Sequence, residues 1–196
     1  MSEITRRTLL ESIALAATAG GGLTLEAAQH VHGVAAQEKT AGPYKPKGLN
    51  AHEYKTLEKL ADFIIPTDEH SPGAVAAGAP EFIDLLASQN PQLLAIYTGG
   101  IAWLDYAMQR HHSTDFLGAK PEQQTALLDL IAYRKNESPE LGPGIKFFEW
   151  ARRMVVDAYY TSPIGIKDVG YMGNTAVSKF VIPQEAIDYA LKRSPV

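Results

Sequence analysis

Apolar positions recur along most of this chain at the spacing of an amphipathic helix, and no run keeps the alternation of a strand. Tyr54, Leu57, Leu60, Ala61 and Ile64 fall on one helical face. Asn50 followed by Glu53 supplies a capping box at its start, and Pro66 marks its end. Thr67 to Ala79 reads as a loop or short helical turns through Ser71-Pro72-Gly73. Pro80 then suits the first turn of a helix that buries Phe82, Ile83, Leu85 and Leu86.

Pro91 opens a long helix reaching about Arg110, with Leu93, Leu94, Tyr97, Ile101, Leu104 and Met108 at helical spacing. Gly99-Gly100 weakens its middle by about 2 kcal/mol relative to alanine, which predicts either a kink or the close approach of another backbone. Pro121 starts a helix from Glu122 to about Lys135 that turns Leu127, Leu128, Ile131 and Ala132 inward. A loop with Pro139, Gly142, Pro143 and Gly144 precedes a strongly amphipathic helix from Ile145 to Tyr160. Residues 161–182 hold three Gly and one Pro with no sustained period, so an ordered irregular loop is expected there. Pro183 opens a last short helix through Leu191. The pattern predicts an all-α domain of about six helices.

The N-terminus follows a different logic. Thr5-Arg6-Arg7-Thr8-Leu9-Leu10 precedes a weakly apolar run from Ile13 to Leu25, diluted by Thr18, Thr24 and Gly20-Gly21-Gly22. An arginine pair ahead of such a run is the layout of a twin-arginine export signal. With Glu11 beside it, the run is too polar for a spanning helix, which needs roughly 20 mostly apolar residues. The small residues Val34-Ala35-Ala36 predict cleavage before Gln37, with Ala28 as the alternative. The competing reading is a cytosolic chain with an Ala/Gly-rich tail. On the export reading, residues 1–36 are the signal peptide, 37–49 an extended linker broken by Gly42, Pro43, Pro46 and Gly48, and 50–196 the domain.

Composition narrows the partners. Removing residues 1–36 from the 196 leaves 16 Lys and Arg against 19 Asp and Glu, a charge balance that points away from nucleic acid and anionic membranes. With no cysteine, the chain can carry neither a disulfide framework nor a Cys-x-x-Cys-His haem site. Any haem used with it would lie on another subunit. The signatures of dinucleotide, P-loop, hydrolase-elbow and zinc-helix sites are missing too, since the glycine cluster falls within the export signal.

Two residue groups remain as candidate chemistry. His70 beside Asp68 and Glu69, with His52, His111 and His112 elsewhere, could gather at a metal or acid–base site, although a solvated loop explains the same residues. Phe147, Phe148, Trp150, Tyr159 and Tyr160 span four turns and cannot all face one small core. Some of them, Tyr159 and Tyr160 above all, could belong to a partner surface.

Three blocks carry a likeness to a known family. The first is Leu60-Ala61-Asp62-Phe63-Ile64-Ile65-Pro66-Thr67-Asp68, continuing through Ser71-Pro72-Gly73-Ala74, Ala77-Gly78-Ala79 and Phe82-Ile83-Asp84. The second is Tyr159-Tyr160-Thr161-Ser162-Pro163-Ile164-Gly165, and the third is Gly170-Tyr171-Met172-Gly173-Asn174. In this order they resemble the gluconate 2-dehydrogenase subunit 3 family, the small or gamma chain of flavin sugar dehydrogenases. The middle helices match only in general character. Glu11 stands where export signals of this type often have lysine.

The resemblance implies an exported, non-catalytic subunit that binds, matures and escorts a large FAD-containing dehydrogenase of the glucose-methanol-choline type, acting on a sugar, glycoside or sugar acid. It implies FAD in that partner, none in this chain, and a periplasmic location. A cytochrome c subunit or domain is a further partner, and any association with the inner membrane would run through partners. The family offers no catalytic residue to carry over. The expected partner-facing residues are Ser71, Pro72, Gly73, Tyr159, Tyr160, Thr161, Pro163, Gly165, Tyr171, Gly173 and Asn174. The rival readings are a free-standing periplasmic enzyme or metal-binding protein using His70 and nearby carboxylates, and a lone binding module.

Overall fold

A computed structural model describes residues 12–16, 24–40, 42–171 and 181–193, and among them every regular element is helical, with no strand. Helix α1 runs Leu25–Thr40. Helix α2, Ala51–Ile64, opens on the expected box: the Asn50 side chain accepts from Glu53 N at 2.9 Å, and Asn50 N donates to Glu53 Oε2 at 2.8 Å. A single turn, α3 (Gly73–Ala76), leads to α4 (Ala79–Gln89). Asn90 then caps α5 (Pro91–His112) by accepting from Gln92 N and Leu93 N. Helices α6 (Pro121–Ile131), α7 (Gly142–Thr161), α8 (Pro163–Asp168) and α9 (Gln184–Arg193) follow.

The centre of the core is α4, every residue of which from Ala79 to Ala87 is buried. Helix α7 lies across α4 and α5, and α2 packs beside them, so four helices share one apolar interior. Full burial of a Leu, Ile or Phe side chain contributes roughly 1.5–3 kcal/mol. Phe82, Ile83, Leu57, Leu60, Leu93, Leu104 and Tyr97 therefore carry much of the stability. The Tyr97 and Phe147 rings meet edge to face at 5.9 Å between centroids.

An acid inside α4 organises the approach to α2. Asp84 is fully buried, and its carboxylate accepts from Tyr44 OH (2.8 Å), Lys47 N (2.6 Å), Gly48 N (3.0 Å) and Leu49 N (2.8 Å). A buried carboxylate persists only when its lone pairs are satisfied. Here four donors do that and clamp segment 44–49 onto α4.

The structure corrects several expectations. The helix containing Gly99-Gly100 is continuous, and what approaches is a ring: a Cβ at Gly100 would drive into Phe147. The helix expected through Lys135 ends at Ile131, because Asn136 Nδ2 captures the Leu130 carbonyl (2.9 Å) and the chain tightens into a 3-10 turn over Arg134–Asn136. Part of the expected irregular loop is helical, since Ser162 and Pro163 are a cap and first-turn pair: Ser162 Oγ accepts from Gly165 N at 3.0 Å. Residues 37–40, expected to begin an extended linker, complete α1, which has good helix formers and no proline before Pro43. With α1, α3 and α8, the described residues hold more helices than six. Arg6, Arg7, Glu11 and residues 172–180, with Gly173 and Asn174 among them, lie outside the described residues.

Candidate partner-facing site

The first two sequence blocks, some 88 positions apart, meet at one end of the molecule. Residues 65–74 are wound tightly by their own polar groups. Asp68 Oδ1 accepts from His70 N and Ser71 N, both at 2.8 Å, and Thr67 Oγ1 donates to the Pro72 carbonyl at 2.7 Å. Those two amide donors hold the Asp68 carboxyl below the usual carboxylate range. Gly73 has φ +75°, and a Cβ there would stand 2.7 Å from Thr67 N, so glycine is required twice over.

From this loop Ser71 reaches across to Tyr159 near the end of α7. A polar chain runs through the contact: Gly73 N donates to Ser71 Oγ (3.3 Å), the Ser71 hydroxyl bonds the Tyr159 phenol, and Tyr159 donates to Asp168 Oδ2 at 3.0 Å. With the Tyr159 proton committed to Asp168, Ser71 is the donor to Tyr159. Burial first, then Asp168, raises the Tyr159 pKa, while the bond from Ser71 opposes them. Gly165 lets α8 fold back on α7, since a Cβ on it would collide with the Tyr159 carbonyl.

The expected partner-facing residues thus divide. Ser71, Gly73, Tyr159 and Gly165 are buried and form the floor of the junction. Pro72, Tyr160 (45% exposed), Pro163 and Tyr171 (48% exposed) form its rim, with Val169 beside them. Thr161 is half-buried; its hydroxyl donates to the Asp157 carbonyl (2.6 Å) and meets His32 Nε2 at 3.2 Å. Two open grooves flank the rim. One, of about 470 Å³, is lined by Glu69, His70, Ser71, Pro72, Lys167 and Asp168. The other, of about 600 Å³, lies between α1, residues 76–78 and α8 and is mainly apolar; Ile164 borders both.

The histidines are dispersed. His70 is exposed on its loop; His52 bonds Asp105 at 2.7 Å, and Asp105 also accepts from Phe116 N; His112 meets Gln123 at 3.1 Å. Among the described residues no three His, Asp or Glu side chains stand close enough to hold a metal ion. Of the aromatics, Phe147, Phe148 and Tyr159 are buried, Trp150 packs at the edge of the core, and Tyr160 faces water.

Sequence reasoning missed His32, Asp84 and Asp168. Asp84 was visible as a lone acid within an apolar helix face, which signals a satisfied carboxylate. Asp168 gave no signal, since its role depends on α8 folding back.

The profile of the family described as Gluconate 2-dehydrogenase subunit 3 matches residues 51–178, from the first residue of α2 past α8. Comparison with curated proteins and with solved structures found no match.

Proposed function

The chain belongs to the gluconate 2-dehydrogenase subunit 3 family, and we propose that it serves as the non-catalytic small subunit that binds, matures and escorts a large FAD-dependent dehydrogenase. The family's description as a subunit 3 supports a reading in which the chain works within a complex, the chemistry belonging to a partner and this chain supplying a surface. On this reading the partner carries FAD and oxidises a sugar, glycoside or sugar acid.

The observation that carries the proposal is the two-sided junction. Its floor fixes Ser71, Tyr159 and Asp168 in one bonded chain, and its rim presents Pro72, Tyr160, Pro163 and Tyr171 to solvent on that floor. Side chains and loops already ordered before docking lose less entropy on docking. Tyrosines in such a place match the composition of interface centres. Export by the twin-arginine route, suggested by Arg6-Arg7 and the run behind them, fits a flavoprotein escort, because that route carries folded proteins and flavin is loaded before transit.

Capture of the partner tests the proposal. The chain, tagged at its C-terminus and purified from its own cells, is expected to bring down a large chain with a flavin spectrum. Recovery alone, with no flavin in the eluate at any ionic strength, would overturn it.

A further inference from the structure

Helix α1 crosses the boundary at which a leader was expected to end, and it is built into the domain. Ala28, Val31 and Ala35, at i, i+3 and i+7, are buried against α4 and α7. The His32 ring packs on Phe82 with centroids 4.7 Å apart, and its Nε2 reaches Thr161 Oγ1 at 3.2 Å. At the far end Lys39 pairs with the buried Glu81, and Glu38 with Lys47 at 2.8 Å. The contacts therefore continue on both sides of the Ala36–Gln37 bond.

We infer that α1 is part of the mature protein, so that any removal of a leader cuts N-terminal to Leu25. Proteases take their substrates as extended backbone, and a bond within a packed helix is open to them only when that helix unfolds locally. Within Val34-Ala35-Ala36, which resembles a peptidase site, Ala35 has a packing role: Ala28 and Ala35 lie one heptad apart on the buried face and let α1 approach α4 closely, while Ala36 is exposed. Ala28, the alternative cleavage position, is fully buried on the same face. Loss of residues 25–36 would also remove Gln29, His32, Gly33 and Ala36 from one wall of the 600 Å³ groove beside the proposed docking rim. The retained helix thus completes the surface that the escort role requires.

The inference rests on the export reading only for the existence of a cut, and two measurements separate them. The N-terminal residue of the chain recovered from the periplasm is expected at or before Leu25; a start at Gln37, or anywhere within α1, would overturn the inference. Independently of export, chains beginning at Leu25 and at Gln37 are produced in the cytoplasm and melted. The first, which loses the buried Ile13 and Ala14 and the Ala14 carbonyl bonded by Asn90 Nδ2, is expected to melt somewhat below the full chain, and the second to melt about 10 °C below the first or to fail to accumulate in soluble form. Equal melting of the two would overturn the inference, whether or not the protein is exported.

Discussion

At the α7–α8 junction, Ser71, Tyr159 and Gly165 turn inward while their sequence neighbours Pro72, Tyr160 and Ile164 lie at or near the surface. The inward set is joined by hydrogen bonds and backbone contacts with no spare volume. In the outward set Tyr160 is 45% exposed with its ring edge-on to Tyr159, and Ile164 packs only in part against the core. On the proposed reading, residues of one motif serve two purposes that separate by energy: the floor stabilises the fold, while the rim, with little effect on it, is left to a partner.

Gly165→Ala is the strongest test of that division. Its new methyl would meet the Tyr159 carbonyl, and relieving this by backbone movement is expected to cost about 3 kcal/mol, read as a lowered denaturation midpoint. Unchanged stability would remove the floor from the comparison. Tyr159→Phe is milder. It keeps the ring but leaves Ser71 and Asp168 without their shared partner, an expected loss of about 1–3 kcal/mol by chemical denaturation.

A pH effect belongs to the wall beside the rim. Burial lowers the His32 pKa below its ordinary 6.5, with the Ala158 carbonyl opposing. Between the lowered folded value and 6.5 the unfolded chain binds more protons, so stability rises with pH across that window and falls as acid protonates the ring. His32→Gln is expected to flatten melting temperature against pH between 6.5 and the lowered value; an unaltered slope would place the titration elsewhere. Tyr160→Ala should have the smallest effect on the fold, within about 0.5 kcal/mol. For a side chain at the interface centre, its binding of the flavoprotein should weaken about tenfold by titration. A variant that binds normally would move the interface off the rim.

Much of the helical frame was legible because its signals are local. Asn50 and Glu53 cap α2, Pro91 opens α5, and the apolar spacing of 145–160 marks α7. The packing of helix α1 was not legible for a physical reason: small and weakly apolar residues suit both an export leader and a helix lying close against a core, and the burial of Ala28, Val31 and Ala35 is a tertiary property. The first two motif blocks meet in the fold, yet the direction of each side chain was not readable. Whether Ser71 faces inward depends on Tyr159, and whether Tyr159 is buried depends on the return of α8. Gly100 shows the same limit from another side, since the weak point in α5 was visible and the ring that fills it was not.

Export of the partner tests the escort role most directly. The large flavoprotein is expressed with and without this chain, and its FAD content and activity are measured in the periplasmic fraction. The account predicts flavinated, active enzyme there only when the small chain is present. Equal amounts of active flavoprotein in its absence would contradict it.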